Sequence, residues 1–215
     1  MNLRNRGVVM KKYDVIALGE LLIDFTMNGQ SEQGNHLFEA CPGGAPCNVL
    51  AMLNKLGKKT AFIGKVGNDQ FGTLLRKTLN EVGIDTSNLF TDDEVNTTLA
   101  FVHTLADGDR EFSFYRNPGA DMMLKEDEID EDFLSQAKIF HFGTLSMTQD
   151  EVRAATKKAV KSAKQSGALI SFDPNLREPL WSSLELAKEQ MEYGFSQCDI
   201  LKISDNEIQI GRASC

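Results

Sequence analysis

This 215-residue sequence is poor in the residues that metal and disulfide chemistry need. Its four cysteines are Cys41, Cys47, Cys198 and Cys215; no two stand in a Cys-x-x-Cys pair, and there are only three histidines. That composition gives no support to a structural zinc site or a disulfide framework, and reduced thiols in a cytoplasmic protein are the expectation. No apolar run approaches the length needed to span a bilayer, so no membrane partner is expected. Basic residues are outnumbered, 23 Lys and Arg against 31 Asp and Glu, for a formal net charge of −8. A nucleic-acid binder that relies on a broad basic surface is argued against on that ground. Three common motifs are missing as well. No glycine-rich loop ends in Gly-Lys-Ser/Thr, no Gly-x-Gly-x-x-Gly follows a strand, and no Gly-x-Ser-x-Gly elbow occurs.

What is present fits one large α/β domain, since 41% hydrophobic and 25% charged residues are ordinary for a globular protein with a sizeable core. Residues 1–10 lack the apolar stretch of a secretion signal and are set aside as an extra N-terminal segment. The pattern from residue 11 alternates strands and helices. Tyr13 to Gly19 is a short apolar run ended by glycine, and it continues through Glu20 to Phe25, so that a strand ends in Asp24. Asn28 to Asn35 reads as a turn and His36 to Ala40 as a short strand. The segment Cys41-Pro42-Gly43-Gly44-Ala45-Pro46-Cys47-Asn48 then feeds a helix running to about Gly57. Its glycine pair bares backbone N–H groups, Pro46 suits a first helical position, and Val49, Leu50, Leu53 and Leu56 form a stripe.

Thr60 to Val66 reads as a strand, and Phe71 to Val82 as a helix stopped by Gly83. Thr97 to Thr104 and Arg110 to Arg116 flank Ala106-Asp107-Gly108-Asp109, a hairpin signal that points to a small side sheet. Further on come an acidic helix over Asp127 to Ala137, a strand over Ile139 to Leu145 and a helix over Gln149 to Gln165. A strand over Ala168 to Phe172, a helix over Trp181 to Tyr193 and a last strand over Asp199 to Ile203 complete the series. The expected architecture is a doubly wound, mostly parallel α/β sheet, which places ligands at the carboxyl ends of its strands.

Polar residues gather at those ends: Asp24, Gly43, Gly44, Asn48, Arg116, Asp173, Asn175, Arg177 and Lys202. Carboxylates and amides beside closely approaching backbone suit a polyhydroxylated ligand, whose hydroxyls both donate and accept. An isolated buried carboxylate is costly, so Asp24 requires donors from the protein or from a ligand. The plainer alternatives are a turn carboxylate for Asp24, a surface ion pair for Arg177 and a solvated strand edge for Lys202.

These same residues carry a resemblance. Gly43-Gly44-Ala45-Pro46-Cys47-Asn48, followed by Gly57, Gly64 and Gly67-x-Asp69-x-Phe71-Gly72, resembles the first signature of the ribokinase-like (PfkB) sugar kinases. Gly19-Glu20-Leu21-Leu22-Ile23-Asp24-Phe25, Thr98 to Val102, Arg110 to Met122 and Phe172 to Arg177 are similar to its fructokinase branch. The likeness runs in order from about residue 13 to 208. It implies a ribokinase-like fold with a small β lid, its pieces near residues 26–42 and 97–117 of a domain spanning 11–209. It also implies phosphoryl transfer from ATP, with Mg²⁺, to a sugar hydroxyl, fructose first, with 2-keto-3-deoxygluconate or a riboside as alternatives. Asp24, Gly43, Gly44 and Asn48 would bind sugar hydroxyls, and Phe101 and Arg116 would belong to the lid. Arg177 would face the sugar or the transferring phosphate, and Lys202 the phosphates. Ser204 and Glu207 read as a capping box, with Glu207 a second, indirect candidate on the Mg²⁺ side. The resemblance further implies a homodimer through the lid.

The family's second signature, Asp-Thr-x-Gly-Ala-Gly-Asp, whose last aspartate is the base, does not occur in this sequence. Residues 210–215 form an atypical tail that breaks the amphipathic pattern. The expectation is therefore an N-terminal part of the fold, with little or no kinase activity alone and no catalytic residue of its own. The competing reading is a non-catalytic sugar-binding or regulatory fragment.

Overall fold

The computed structural model describes residues 11–104 and 110–212. In chain order its strands are β1 (Tyr13–Leu18), β2 (Leu22–Gln30), β3 (His36–Gly43), β4 (Thr60–Gly67), β5 (Asp85–Asp92), β6 (Leu99–Thr104), β7 (Arg110–Tyr115), β8 (Ala137–Gly143), β9 (Leu169–Asp173) and β10 (Ile200–Leu201). The helices are α1 (Ala45–Lys55), α2 (Gln70–Val82), α3 (Glu131–Leu134), α4 (Asp150–Gln165), α5 (Leu184–Gln197) and α6 (Asp205–Arg212), with short 3₁₀ turns between some of them.

Six strands form one sheet in the order β10-β9-β8-β1-β4-β5, every neighbouring pair parallel. Both faces are covered, which is why β1 and β4 are apolar almost throughout rather than alternating. Val15 and Ala17 of β1 point into a core shared with Leu50 of α1 and Leu75 and Leu79 of α2. Ile16 and Leu18 point into the opposite core, with Phe140, Phe142, Phe172 and Val152, Ala155 and Ala159 of α4. The chain steps from β1 outward to β4 and β5, then returns to β8 on the other side of β1. Such a reversal opens a crevice at the strands' carboxyl ends.

The side sheet expected from the hairpin signal is present, in the order β3-β2-β6-β7, with β2 and β6 parallel and the outer pairs antiparallel. Residues 106–109, the expected hairpin turn, lie outside the described residues, as do residues 1–10 and 213–215.

Several boundaries differ from the sequence reading, each for a physical reason. The run from Tyr13 to Phe25 is two strands in two sheets, because the chain leaves the large sheet at Gly19–Leu21 and enters the small one at Leu22. The stripe assigned to α1 is shifted by tertiary packing: Cys47 and Leu50 are buried while Val49 and Leu56 are exposed. The acidic stretch is a 3₁₀ turn at Glu126–Glu128 and the single turn of α3, and Ala137 already belongs to β8. Trp181 precedes α5, whose N-cap is Ser183, with the hydroxyl accepting from Leu186 N–H. The helix α6 runs on to Arg212, three residues into the stretch read as tail. Strand β5, at the sheet edge, has no clean alternation to announce it: Asn88, Leu89 and Phe90 sit between the exposed Ser87 and Thr91.

Other signals match. Gly57 and Gly83 both have positive φ, 76° and 91°, as left-handed helix stops require. Asp69 caps α2 through Gly72 N–H at 2.7 Å, and the same carboxylate accepts Thr97 N–H at 2.7 Å, pinning the start of β6 to α2.

Candidate functional site

A cavity of about 210 Å³ opens where the two sheets meet, at the carboxyl ends of β1, β8 and β9. Its floor is Glu20, from the β1–β2 junction, with Gly44, Ala45 and Asn48 of the α1 N-terminus. Leu22 and Asp24 of β2 and Phe112 and Phe114 of β7 come from the small sheet, and Leu145, Asn175 and Arg177 from the ends of the large one.

The register explains which side chains face inward. Asp24 pairs with Ala100, which pairs with Phe114, so all three share one face of the small sheet. Phe112 lies two residues along β7 on that same face. Phe101 is one residue out of phase, and it therefore points away from the cavity. It stacks on Phe25, ring centroids 5.0 Å apart, and meets Phe38 and Tyr115 edge-on. The assignment of Phe101 to the ligand side is corrected on that ground: Phe112 and Phe114 are the aromatic residues that line the cavity.

Asp24 is half-buried, and no donor among the described residues bonds its carboxylate. Burial pushes its carboxyl up from the ordinary value, and the Arg177 guanidinium opposes that shift. Arg177 also lies over the Phe112 ring, 5.8 Å from the centroid. A Cβ on Gly43 would displace the Asp24 carboxylate from its present position. Gly44 has φ 119° and lies against the Glu20 carbonyl, so two constraints select glycine. The two glycines thus bring the α1 N-terminus up to β2.

The loop after β9 is shaped for the cavity. Asn175 has φ 42°, unusual for a residue with a side chain, and its N–H donates to Asp173 Oδ1 at 3.2 Å. Leu176 N–H donates to Glu207 Oε1 at 2.8 Å. Ser204 N–H and the Ser204 hydroxyl both donate to Glu207 Oε2, each at 2.8 Å. Burial favours a raised Glu207 carboxyl, but these donors outweigh it and hold the group below its ordinary value. Of the capping box expected at Ser204, the half in which Glu207 accepts Ser204 N–H is formed, while the Ser204 hydroxyl donates to the same carboxylate; Glu207 also braces the loop that carries Asn175 and Arg177.

Two further expected residues, Arg116 and Lys202, do not line the cavity. Arg116 is buried and its guanidinium is fully engaged: Nε and Nη2 bond Asp121 Oδ2 at 2.8 and 2.7 Å, Nη1 bonds Thr148 Oγ1 at 3.1 Å, and Nη2 bonds the Leu145 carbonyl at 2.9 Å. Its role in this structure is to tie the end of β7 to the β8–α4 connection. Lys202, 66% exposed, pairs with Asp173 at 3.1 Å on the outer strands. Among the described residues no cluster of three or more His, Cys, Asp or Glu is placed to hold a metal ion. With both Glu207 oxygens occupied by N–H and O–H donors, that residue does not fit a direct Mg²⁺ ligand.

Sequence reasoning alone does not assign Glu20, Phe112, Phe114 or Leu145 to the site. Glu20 stands inside the Gly19–Phe25 run and is 4% exposed, buried company that an unpaired carboxyl avoids unless it has a purpose. The alternation of Phe112 and Phe114 with Ser113 is a visible signal that one face of β7 is aromatic.

The comparisons agree with this geometry. The family model described as pfkB family carbohydrate kinase matches residues 12–213. A probable fructokinase-3 of Arabidopsis thaliana is 45% identical over 197 residues, covering 91% of this chain and 57% of the relative. The crystal structure of a fructokinase from Xylella fastidiosa superposes with a TM-score of 0.86 at 33% identity, over 94% of this chain and 63% of that one. A second structure of a fructokinase from that organism, with ATP bound, gives a TM-score of 0.83 at 33% identity, over 94% and 61%. The chain thus spans less than two thirds of the length of these relatives. With the match running from the first strand to the last helix, and with the glycine pair, the strand-end cavity and the small second sheet all in place, this chain belongs to the pfkB family of carbohydrate kinases.

Proposed function

We propose that this chain supplies the sugar-binding part of a fructokinase-type kinase, in which a phosphoryl group passes from ATP to a hydroxyl of fructose. The observation that carries the reading is the cavity itself: Asp24, unpaired by donors among the described residues and beside Arg177, faces Asn48, Gly44 and Asn175 across a space suited to a monosaccharide.

Asp24 accepts hydrogen bonds from sugar hydroxyls, and Asn48 and Asn175 both donate and accept. Phe112 and Phe114, stacked with centroids 5.9 Å apart, cover the apolar C–H face of the ring and exclude water that would compete for the phosphoryl group. Arg177, reaching in from the large sheet, supplies positive charge where the anionic group approaches. When bound, ATP with Mg²⁺ contributes the phosphoryl group and charge neutralisation. The family's Gly-Ala-Gly-Asp base does not occur in this sequence, and the reading is of a chain that by itself binds sugar without turning it over.

The outer face of the small sheet exposes Met27, Phe38 and Tyr115 around Phe101, and a second copy of the chain is the partner proposed for it. No helix among the described residues is long and apolar enough to cross a membrane.

Calorimetric titration of the chain with fructose, beside an ATP-dependent phosphorylation assay, tests the reading. Saturable fructose binding with no turnover is expected, and turnover is expected once a relative's C-terminal segment carrying Gly-Ala-Gly-Asp is fused on. Failure to bind fructose, 2-keto-3-deoxygluconate and ribose alike would refute it.

A further inference from the structure

Glu20 lines the cavity floor, yet the sugar-binding reading leaves its chemistry unused. Its Oε1 accepts the N–H of Ala45, the first residue of α1, at 2.8 Å. No cation pairs with it among the described residues, and the Arg116 guanidinium nearby is bonded to Asp121. We propose that Glu20 contacts the substrate as an uncharged acid: with Oε1 fixed on Ala45 N–H, the proton resides on Oε2 and is donated to a hydroxyl oxygen of the sugar.

Three observations support the assignment, which rests on the sugar-binding reading. First, Ala45 N–H is a donor and needs an acceptor, so the proton of a neutral Glu20 has only the other oxygen to occupy. Second, the carboxyl lines the same cavity as Asp24, an acceptor only when ionised. A polyol hydroxyl donates one hydrogen bond and accepts others, so a site that offers a donor beside an acceptor matches it better than two carboxylates would. Third, burial pushes the Glu20 carboxyl up to about 7, against the opposing backbone N–H groups of Glu20 itself and of Ala45; Asp121 adds to the rise and Arg116 opposes it.

The charged and titratable groups around Glu20 come from several elements. Asp121 lies on the 3₁₀ turn at Ala120–Met123 and Arg116 at the end of β7. Cys47 is on α1, its thiol raised by burial and by Glu20. Asp24 on β2 and Arg177 after β9 face the same cavity. Of these, Asp24 alone is a second carboxyl open to the ligand, so the test has to separate the two.

Fructose binding to the chain is measured by calorimetry at pH 6 and pH 8, in buffers of different ionisation enthalpy. If only the protonated form binds, a group titrating near 7 weakens affinity about tenfold over that interval, and binding at pH 8 takes up about one proton. Glu20→Gln keeps an oxygen for Ala45 N–H and places an NH₂ donor where Oε2–H stood. It is expected to bind at both pH values as the native chain does at pH 6, with no proton uptake. Native binding without proton uptake at pH 8 overturns the inference and leaves the sugar-binding reading intact. The same holds for a pH dependence that survives unchanged in Glu20→Gln, which assigns it to Asp24. Proton uptake is read on the native chain, so the inference remains testable even if Glu20→Gln folds poorly. Absence of binding at both pH values by fructose, 2-keto-3-deoxygluconate and ribose alike overturns both readings together.

Discussion

The Arg116–Asp121 pair offers the sharpest test of how the small sheet is held to the large one. Asp121→Ala removes the carboxylate that takes two bonds from Arg116 and one from Thr98, whose hydroxyl donates to Oδ1 at 2.5 Å. The side chains of Arg116 and Asp121 are 2% and 1% exposed, so solvent cannot replace the lost partner. Thr148 and the Leu145 carbonyl still hold part of the guanidinium, but both are neutral. Stranding a buried charge in this way costs about 3–5 kcal/mol, a large share of the roughly 5–15 kcal/mol that stabilises a native domain. For a chain of this size that corresponds to a melting point lowered by about 6–20 °C. Urea denaturation followed by circular dichroism measures the loss, and a double variant, Arg116→Met with Asp121→Leu, should recover most of it. A loss below about 1 kcal/mol for Asp121→Ala, or a double variant no better than the single, would refute the argument that an uncompensated charge is the cause.

Four further outcomes are expected. Gly44→Ala, forced to φ 119° against the Glu20 carbonyl, should lose about 1–3 kcal/mol by the same denaturation assay; a change within error would mean the loop relaxes freely. Asp24→Asn should weaken fructose binding about 10- to 100-fold with little effect on melting temperature, since the native carboxylate has no donor to lose among the described residues. Glu20 is raised from 4.5 to about 7 on folding, so the folded state holds the proton more tightly and native stability falls as pH rises through that window. The ceiling on that loss is about 3 kcal/mol, and Glu20→Gln should flatten it in denaturation curves taken from pH 5 to pH 8. Tyr115→Glu, at a side chain 66% exposed beside Phe101, should shift sedimentation from dimer to monomer; a native chain that sediments as a monomer contradicts the proposed second copy.

The sheet and its helices are legible because apolar periodicity and glycine stops are local signals. Leu75 and Leu79 announce the buried face of α2, and Gly83 its end, with nothing else needed. Where tertiary burial outranks local pattern, the pattern misleads. Val49 and Leu56 are apolar yet exposed, and β5 has no alternation of its own because an edge strand takes its register from β4. The acidic run after Lys125 reads as one helix, but Asp130 caps a new turn and the packing of Ile129, Phe133 and Leu134 into the core breaks the run into short pieces.

The site divides in the same way. By itself the sequence determined the glycine pair, Asp24, Asn48 and the Asp173–Arg177 loop, because strained turns and misplaced carboxylates leave their mark on residue identity. Only the tertiary structure decided which side chains share the cavity. A one-residue phase difference on paired strands sends Phe101 to the back face and Phe114 to the front. A buried ion pair holds Arg116 off the lining of this cavity, and the close of α1 over Glu20 brings an otherwise unremarked carboxyl to the cavity floor. Strand phase, ion pairing and burial all depend on partners distant in the chain, and no local pattern of residues encodes them.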